Sequence, residues 1–411
     1  MSPRRPWSTV VVSACGLAVG QGPINVFAAG VFIKPIADSL HLGRGSVSTA
    51  IAVSSVLTAV AAPFFGRALD ERGVRRPLLT SIALFGLTTA ALGLVSSLTG
   101  LFVLYALSGL VGVGQNPTAY SKVLAAYFDR RRGLAMGLAL AGVGLGTALM
   151  PALSARLIST VGWRITYACL GAVILGLAFL PVLFWLPEPA RRSSGGHEGL
   201  PGLPFADAIR SRGYWTLALA FFLTTVAING ALVHVVPLLT DRGMTASAAA
   251  GTIAAAGMAL IAGRVAAGYV MDRVFAPYVA MASLLGPMAG LAVLGWNVPV
   301  SPFVATALLG LGIGVEVDLM SFLVTRYFGL RAFGALHGLQ FAALVLGNAV
   351  GASVLGWSFQ LLQSYQPAFV VLELLLLVAM VLFATLGPYR YPAGMLRSDG
   401  RSSTTKQETI E

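Results

Sequence analysis

Charged side chains are scarce in this sequence: Asp, Glu, Lys and Arg make up only 10% of its 411 residues, against roughly 25% in soluble domains. Uncharged runs fill most of the chain, and the longest cover 77–121, 274–315 and 332–372. Because a membrane-spanning helix needs about 20 apolar residues, each of these runs is long enough for two spans. This scarcity of charge excludes an ordinary soluble protein and predicts an integral membrane protein.

Residue types that carry most catalytic and metal chemistry are also few. The chain has two cysteines and four histidines, and both cysteines fall in apolar segments, so neither a disulfide framework nor a thiol metal site is indicated. There is no phosphate-binding GxxxxGK[ST] motif, no metal-spaced His/Cys cluster and no nucleophile–base constellation. We therefore expect no metal, no cofactor and no enzymatic activity.

The apolar runs predict helices, because lipid leaves every backbone hydrogen bond to be satisfied within the protein. The three longest runs break near their middles at polar or Gly-containing turns, so each counts as two spans. The twelve predicted helices lie near 8–33, 46–66, 76–97, 99–127, 133–157, 163–186, 214–239, 246–270, 275–296, 301–327, 333–361 and 366–388. They form an N-terminal bundle over 1–186 and a C-terminal bundle over 213–389, with a linker over 187–212 and a polar tail over 390–411 that we expect to be disordered.

The formal net charge of +12 is explained by orientation. With twelve spans and the N-terminus inside, the cytoplasmic segments hold twenty Lys and Arg residues and the opposite side holds five. Such an asymmetry follows the positive-inside rule and gives no reason to expect nucleic-acid binding. It predicts cytoplasmic N- and C-termini in a plasma membrane, here a bacterial inner membrane.

Two stretches two hundred residues apart nearly repeat each other. Five positions of 112–137 recur in 312–338: Gly112, Gly114, Ser121, Tyr127 and Phe128 correspond to Gly312, Gly314, Ser321, Tyr327 and Phe328. A second echo pairs Gly66 and Asp70 with Gly268 and Asp272. Many secondary transporters are built from two copies of one apolar unit, with the substrate site where the copies meet. The repeat therefore predicts both an architecture and a place for the site.

The loop at 66–76, GRALDERGVRR, resembles the loop signature of the major facilitator superfamily, with Glu71 where Arg is usual. The resemblance covers essentially the whole chain and implies twelve helices in two pseudo-symmetric six-helix bundles. In that family the Asp caps a neighbouring helix N-terminus, where a carboxylate accepts N–H groups and complements the helix dipole, and the Arg residues tie the halves together. The resemblance thus implies a gate built from Gly66, Asp70, Arg72, Arg75, Asp272 and Arg273. The alternative is that the basic residues simply anchor the loop at the membrane surface.

Within the superfamily, the chain is most similar to monocarboxylate transporters and bacterial oxalate/formate exchangers. The matching stretches are GVFIKP at 30–35, Asn116-Pro117, Tyr127-Phe128, RRGLA at 131–135, and Arg264 followed by Gly268 and Asp272. In that group the Arg of the eighth helix binds the substrate carboxylate, which implies this role for Arg264. One departure matters: the family's proton-linked Asp, one turn before the Arg, is Leu260 here.

Arg264 points to an anion site without the family as well. It lies about 12 Å from the cytoplasmic end of its helix, and an Arg at such depth costs at least ~2.5 kcal/mol unless it faces a cavity or a partner. Its guanidinium matches a carboxylate bidentately and stays charged. The alternative is a structural ion pair with Glu316 or Asp318.

Glu316 and Asp318 are the other costly intramembrane charges, at positions equivalent to Asn116 and Thr118 of the first half. Buried carboxylates bind and release protons near neutral pH, and a nearby Arg opposes protonation. Substrate competing for Arg264 would then favour protonation of an acid and couple transport to protons. A static network that holds the C-terminal half is the alternative.

Further polar residues in the spans are candidates for the cavity wall. Asn116 and Tyr120 share a helical face and could meet a substrate opposite Arg264, while the Pro between them could instead mark a gate kink. His234, Asn25 and Gln21 are weaker candidates, each with packing as the alternative. Lys122 is interpreted as snorkelling to the interface or pairing in the gate; facing inward, it would suit a dianion.

The sequence therefore predicts a secondary active transporter of a small organic monocarboxylate, lactate- or pyruvate-like. We expect proton coupling, rocker-switch alternating access, and a monomer in the lipid bilayer. The oxalate group carries an additional Lys in the eleventh helix, and 333–361 contains none, which disfavours oxalate. The alternatives are organic anion exchange, proton-driven efflux of drug-like solutes, and a membrane sensor that transports nothing.

Overall fold

The structure, a computed structural model, describes residues 5–128, 131–186, 201–296, 298–362 and 364–391. Within these residues the chain is helical, apart from turns and one isolated antiparallel bridge between Gly202 and Gly329. Most of the predicted linker (187–200) and nearly all of the predicted tail (392–411) lie outside the described residues.

The helices follow one another along two halves of the chain. In the N-terminal half they are α1 Arg5–Ala18, α2 Ala29–Leu40, α3 Arg44–Arg72, α4 Arg75–Leu92, α5 Leu98–Gly112, α6 Pro117–Tyr127, α7 Arg132–Ile174 and α8 Leu180–Trp185. In the C-terminal half they are α9 Phe205–Arg210, α10 Arg212–Asp241, α11 Ala246–Met271, α12 Ala276–Gly295, α13 Pro302–Phe328, α14 Phe333–Leu362 and α15 Gln366–Ala384.

The all-helical membrane architecture is confirmed. Among the described residues, ten helical segments are long and apolar enough to cross a membrane. One of them, Arg132–Trp185, is 54 residues long and kinks at Gly162, where φ is 79°. Since a helix rises 1.5 Å per residue against an apolar core of about 30 Å, the kink divides it into two membrane-length pieces. The total of twelve crossings stays a prediction.

Two of the predicted spans contain interruptions of the regular α-helix. The span predicted at 8–33 is broken by a short π-helix at Gly22–Phe27 and then continues past Lys34 to Leu40, because an interfacial Lys can snorkel without ending a helix. The span predicted at 99–127 is confirmed as one candidate span, Leu98–Tyr127, but its regular α-helix ends at Gly112, passes through a 3-10 turn at Val113–Gln115 and resumes at Pro117. Proline has no N–H for the preceding turn, and its repeat equivalent, Val317, lies inside the unbroken α13.

Each half has its own hydrophobic core. One cluster of buried side chains is drawn from 10–186 with Leu330 added, and the other from 208–386. The halves meet where α3 packs against α14 and α7 against α11. Glycines let the backbones touch there: a Cβ on Gly66 would lie 1.9 Å from the Gly334 carbonyl oxygen, and one on Gly268 would lie 2.5 Å from that of Gly133. Close packing by small residues is typical of membrane helices.

The described end of the linker folds onto the C-terminal half. Leu203 N donates to the Phe328 carbonyl at 2.9 Å, and Leu330 N donates to the Pro201 carbonyl at 2.8 Å. The short α9 follows directly and leads into α10. The connection therefore docks on the end of α13 before the second bundle begins.

Candidate functional site

Two aspartates latch the halves together at the predicted cytoplasmic end. Asp70 accepts from Gly334 N at 2.9 Å and from Ala335 N at 2.8 Å, at the start of α14. Asp272 does the same at the start of α7, accepting from Gly133 N at 2.8 Å and Leu134 N at 3.0 Å. Each carboxylate thus caps a helix of the opposite half and complements its dipole. Together they hold this end of the protein closed.

Asp272 lies just past the end of α11, outside the apolar span. Burial raises the pKa of its carboxyl, while the N–H groups of Leu134 and Gly133 and the charges of Arg326 and Arg273 act to lower it. The net direction is upward. The latch therefore places an acid with a raised pKa at the contact between the halves.

Two basic residues support the latches. Lys122 Nζ lies 2.5 Å from Asp70 Oδ1 and 2.8 Å from the Leu69 carbonyl, so it pairs within the gate. Arg132 is 1% exposed and donates across the halves to Thr325 Oγ1 at 3.0 Å. Sequence reasoning missed this role, although the RRGLA stretch at 131–135 carries the residue.

The arginines that the family resemblance assigns to the gate make different contacts. Arg75 donates to the Leu183 carbonyl of its own half, and Arg273 donates to Tyr269 O at 2.8 Å and lies over its ring. Arg72 is the exposed last residue of α3. Arg132 makes a contact between the halves, and the tie expected of Arg72, Arg75 and Arg273 stays a prediction.

A buried seam of hydroxyls and one imidazole joins the halves above the latches. His337 Nδ1 lies 3.0 Å from Thr118 Oγ1, and its Nε2 lies 2.8 Å from Ser321 Oγ. Ser321 in turn donates to Ser121 at 3.1 Å. The two serines occupy equivalent positions of the repeat, so the pseudo-symmetry brings them together. We call Thr118, Ser121, Ser321 and His337 the seam.

Arg264 is buried between the halves, and only some of its guanidinium N–H groups make hydrogen bonds. It is 4% exposed, and its Nη1 donates to the Leu140 carbonyl at 3.1 Å and to Asp318 Oδ1 at 3.4 Å. Arg264 Nε and Asp318 Oδ2 have no hydrogen-bond partner among the described residues. Close ion pairs have N–O distances of about 2.7–2.9 Å and are often bidentate. This pair is longer and single, so it leaves capacity for an anion.

Glu316 lies two residues before Asp318 on α13, on a different face of the helix, and has a different environment. It is 3% exposed and contacts Thr225 Oγ1 of α10. The same hydroxyl also donates to the Phe221 carbonyl at 2.9 Å. Because a hydroxyl has one proton, it serves both oxygens fully only when Glu316 carries a proton of its own.

Two buried amide side chains have atoms without hydrogen-bond partners among the described residues, and one of the two, Gln340, was missed from the sequence. Asn116 Nδ2 has no partner among the described residues, and neither amide atom of Gln340 has one. Gln340 is one turn along α14 from His337 of the seam, which ties it to the interface. Tyr120, predicted beside Asn116, instead donates to Gln115 Oε1 at 3.2 Å, and a Cβ on Gly16 would lie 2.2 Å from its hydroxyl. It therefore faces α1.

The remaining cavity candidates make contacts within one half. Gln21 donates to Thr58 at 2.5 Å, and Asn25 donates to Ser54 at 3.2 Å and to Ser108 at 2.6 Å. The His234 ring lies 5.9 Å from that of Tyr365. These contacts do not bring Gln21, Asn25 or His234 to Arg264. No group of three or more metal-ligating side chains occurs among the described residues.

Proteins that resemble this chain in sequence include membrane transporters. The family model for the Major Facilitator Superfamily matches residues 15–352. Monocarboxylate transporter 11 of Mus musculus is 28% identical over 388 residues, covering 89% of this chain and 84% of that protein. The oxalate:formate antiporter of Oxalobacter formigenes is 29% identical over 196 residues, covering 47% of this chain and 46% of that protein.

Solved structures agree on the fold. The proton:xylose symporter XylE superposes with a TM-score of 0.79 at 13% identity, covering 96% of this chain and 98% of that one. The human organic anion transporter MFSD10 superposes with a TM-score of 0.73 at 18% identity, covering 93% and 100%. At such identities the likeness concerns the fold alone.

Proposed function

The chain belongs to the Major Facilitator Superfamily, and from that premise we propose that it is a proton-coupled transporter of a small organic monocarboxylate. The observation that carries the proposal is the half-used guanidinium of Arg264, buried where the two halves meet. Lactate and pyruvate are the model substrates. The monocarboxylate transporters among its relatives support this substrate class.

Arg264 is the proposed carboxylate ligand, and Asp318 is its partner when substrate is absent. A bound carboxylate offers two oxygens to the guanidinium fork, whereas Asp318 offers one at 3.4 Å. Substrate would therefore compete with Asp318 for the guanidinium, and proton uptake would offset the charge left on the displaced acid. Asn116 and Gln340, whose amide groups lack partners, would border the same space.

Proton coupling is assigned to Glu316. Asp318 already pairs with Arg264. Glu316 shares Thr225 Oγ1 with the Phe221 carbonyl, an arrangement that a protonated carboxyl satisfies. Substrate bound at Arg264 would weaken that cation's effect on both acids and favour proton uptake.

The proposed cycle is rocker-switch alternating access. The contacts of Asp70, Asp272, Arg132 and the seam all join the two halves near one end of the bundle. Opening this end requires their release, and closing restores them. With the charge asymmetry of the sequence, we assign the latched end and both termini to the cytoplasm of a bacterial cell, and we propose that the monomer is sufficient.

Organic anion exchange is the second candidate, favoured by the likeness to the oxalate:formate antiporter over 47% of the chain. A dianion would need a second cation beside Arg264. Lys122 is bound to Asp70 in the gate, and 333–361 contains no Lys. One cation at the centre suits a monoanion better than a dianion. Exchange of one monocarboxylate for another remains compatible with the same site.

The test is uptake of radiolabelled lactate, pyruvate, formate and oxalate into proteoliposomes under an imposed pH gradient. We compare the wild type with Arg264→Ala and with Arg156→Ala, an exposed arginine far from the site. Gradient-driven uptake of a monocarboxylate that is lost only in Arg264→Ala supports the proposal. If the wild type takes up none of these acids, or if Arg264→Ala takes up the monocarboxylate as well as Arg156→Ala does, the proposal is refuted and drug efflux is favoured.

A further inference from the structure

A cleft separate from the central site opens on the side of the N-terminal bundle. It has a volume of about 440 Å³ and lies between the end of α3, the start of α4 and the end of α5. Phe65, Leu84 and Leu110 provide apolar wall, and Arg72 and Arg76 stand at one end. None of the latch residues, the seam residues or Arg264 lines it.

The cleft changes from charged to apolar along its length. Arg72 is the last residue of α3, and Arg76 is the second residue of α4, so both lie at the membrane edge. Leu84 is eight residues further along α4, about 12 Å deeper at 1.5 Å per residue. Leu84 and Leu110 are each 42% exposed, and we expect them to face the bilayer, since both lie on apolar helices. A charged end above an exposed apolar groove matches the polarity of a phospholipid.

Among the described residues, no acidic side chain pairs with either arginine. Both are exposed, and neither makes a hydrogen bond or ion pair with any part of the chain that the structure describes. Their neighbour Arg75 differs, because it donates to the Leu183 carbonyl. Arg72 therefore has its guanidinium available although the loop resemblance assigned it to the gate.

We propose that this cleft binds an anionic phospholipid, with its headgroup phosphate on Arg72 and Arg76 and an acyl chain along Phe65, Leu84 and Leu110. Guanidinium groups bind phosphate bidentately, and basic clefts between membrane helices on the cytoplasmic side suit anionic headgroups. The apolar wall selects a lipid over free phosphate. The inference uses the orientation proposed above but does not depend on what is transported.

The test measures lipid retention, not transport. Purified protein is titrated with phosphatidylglycerol or phosphatidylethanolamine in detergent, and bound lipid is counted by native mass spectrometry. We expect the wild type to retain phosphatidylglycerol more tightly, and Arg72→Gln/Arg76→Gln to weaken that retention about tenfold or more, since each basic residue contributes separately. Arg210→Gln/Arg212→Gln makes the same charge change on exposed residues elsewhere and should retain the lipid as the wild type does.

A second variant separates the apolar groove from the charges. Leu84→Trp fills the groove and keeps both arginines, so it should weaken retention too, while inorganic phosphate should not displace the lipid. Thermal unfolding of each variant checks that it is folded. Equal retention of both lipids by the wild type, equal retention by the two double variants, or displacement by inorganic phosphate would each overturn the proposal.

Discussion

At the residue scale, the geometry of Arg264 separates a binding group from a structural one. A structural pair in a low-dielectric interior should satisfy both partners, because an unmet buried charge is costly. Here Arg264 Nε and Asp318 Oδ2 are both unmet among the described residues, and the single contact between the pair is 3.4 Å. An exchangeable partner accounts for this geometry better than a permanent one.

Arg264→Lys tests whether the fork or only the charge is needed. Lysine keeps the cation but loses the planar donor pair, so we expect lactate kcat/KM to fall by about tenfold or more, the loss of one charge-assisted hydrogen bond. Initial uptake rates over a range of lactate concentrations measure it. Arg156→Lys is the matched control, and an unchanged kcat/KM in Arg264→Lys would show that charge alone suffices.

Glu316→Gln and Asp318→Asn test the division of roles between the two acids. Glutamine removes the titrating proton but keeps hydrogen bonding to Thr225, so uptake driven by a pH gradient should disappear while lactate–lactate exchange continues. Asp318→Asn should instead change substrate affinity, because it removes the competitor for Arg264. Uptake and exchange measured as a function of pH distinguish these outcomes, and unchanged pH dependence in both variants would contradict the coupling scheme.

At the element scale, the latches depend on helices whose backbones touch. Asp70 reaches the start of α14 only because Gly66 and Gly334 allow α3 and α14 to approach: a Cβ on Gly66 would meet the Gly334 carbonyl at 1.9 Å. The same relation holds for Gly133 and Gly268 beneath Asp272. Small residues and a helix-capping carboxylate therefore act as one unit at each contact.

Gly66→Ala should prevent the latched end from closing fully. The added methyl group meets backbone, which has little freedom to move, so we expect α3 and α14 to separate and the transporter to favour the state open at this end. Spin-label distances between the cytoplasmic ends of α3 and α14 measure the shift. Gly176→Ala, where a Cβ meets nothing within 4 Å, is the control; unchanged distances in Gly66→Ala would show that the contact is not tight.

Some elements of this fold could be predicted from the sequence, and others could not. The loop at 66–76 and its echo at 268–272 carried the family resemblance that implied helix-capping by Asp70 and Asp272, and both carboxylates accept N–H groups at helix starts of the other half. Arg132, Gln340 and the seam were missed, since their partners lie on helices far away in the chain. Tyr120 was placed on a face by spacing alone, and its rotation towards α1 follows from packing against Gly16.

At the scale of the whole molecule, the repeat explains why the halves meet as they do. Ser121 and Ser321 are equivalent positions that contact each other at 3.1 Å, as expected for residues beside a pseudo-two-fold axis. The latches are exchanged in the same way, each half supplying one Asp and one helix start. The two halves differ at the candidate site. In the N-terminal half the helix is interrupted before Pro117, which begins α6, whereas the equivalent α13 is continuous and carries Glu316 and Asp318.

A crosslink on this axis tests the rocker-switch cycle. Ser121→Cys/Ser321→Cys, with native Cys15 and Cys169 changed to Ser, places two thiols where the hydroxyls are 3.1 Å apart, within reach of a disulfide or a short thiol-bridging reagent. If the latched end must open in every cycle, crosslinking should stop uptake while lactate still binds from the opposite side, and reduction should restore uptake. Each single Cys variant controls for the substitution. Full uptake by the crosslinked protein would exclude rocking about this contact, because the seam lies between the two halves.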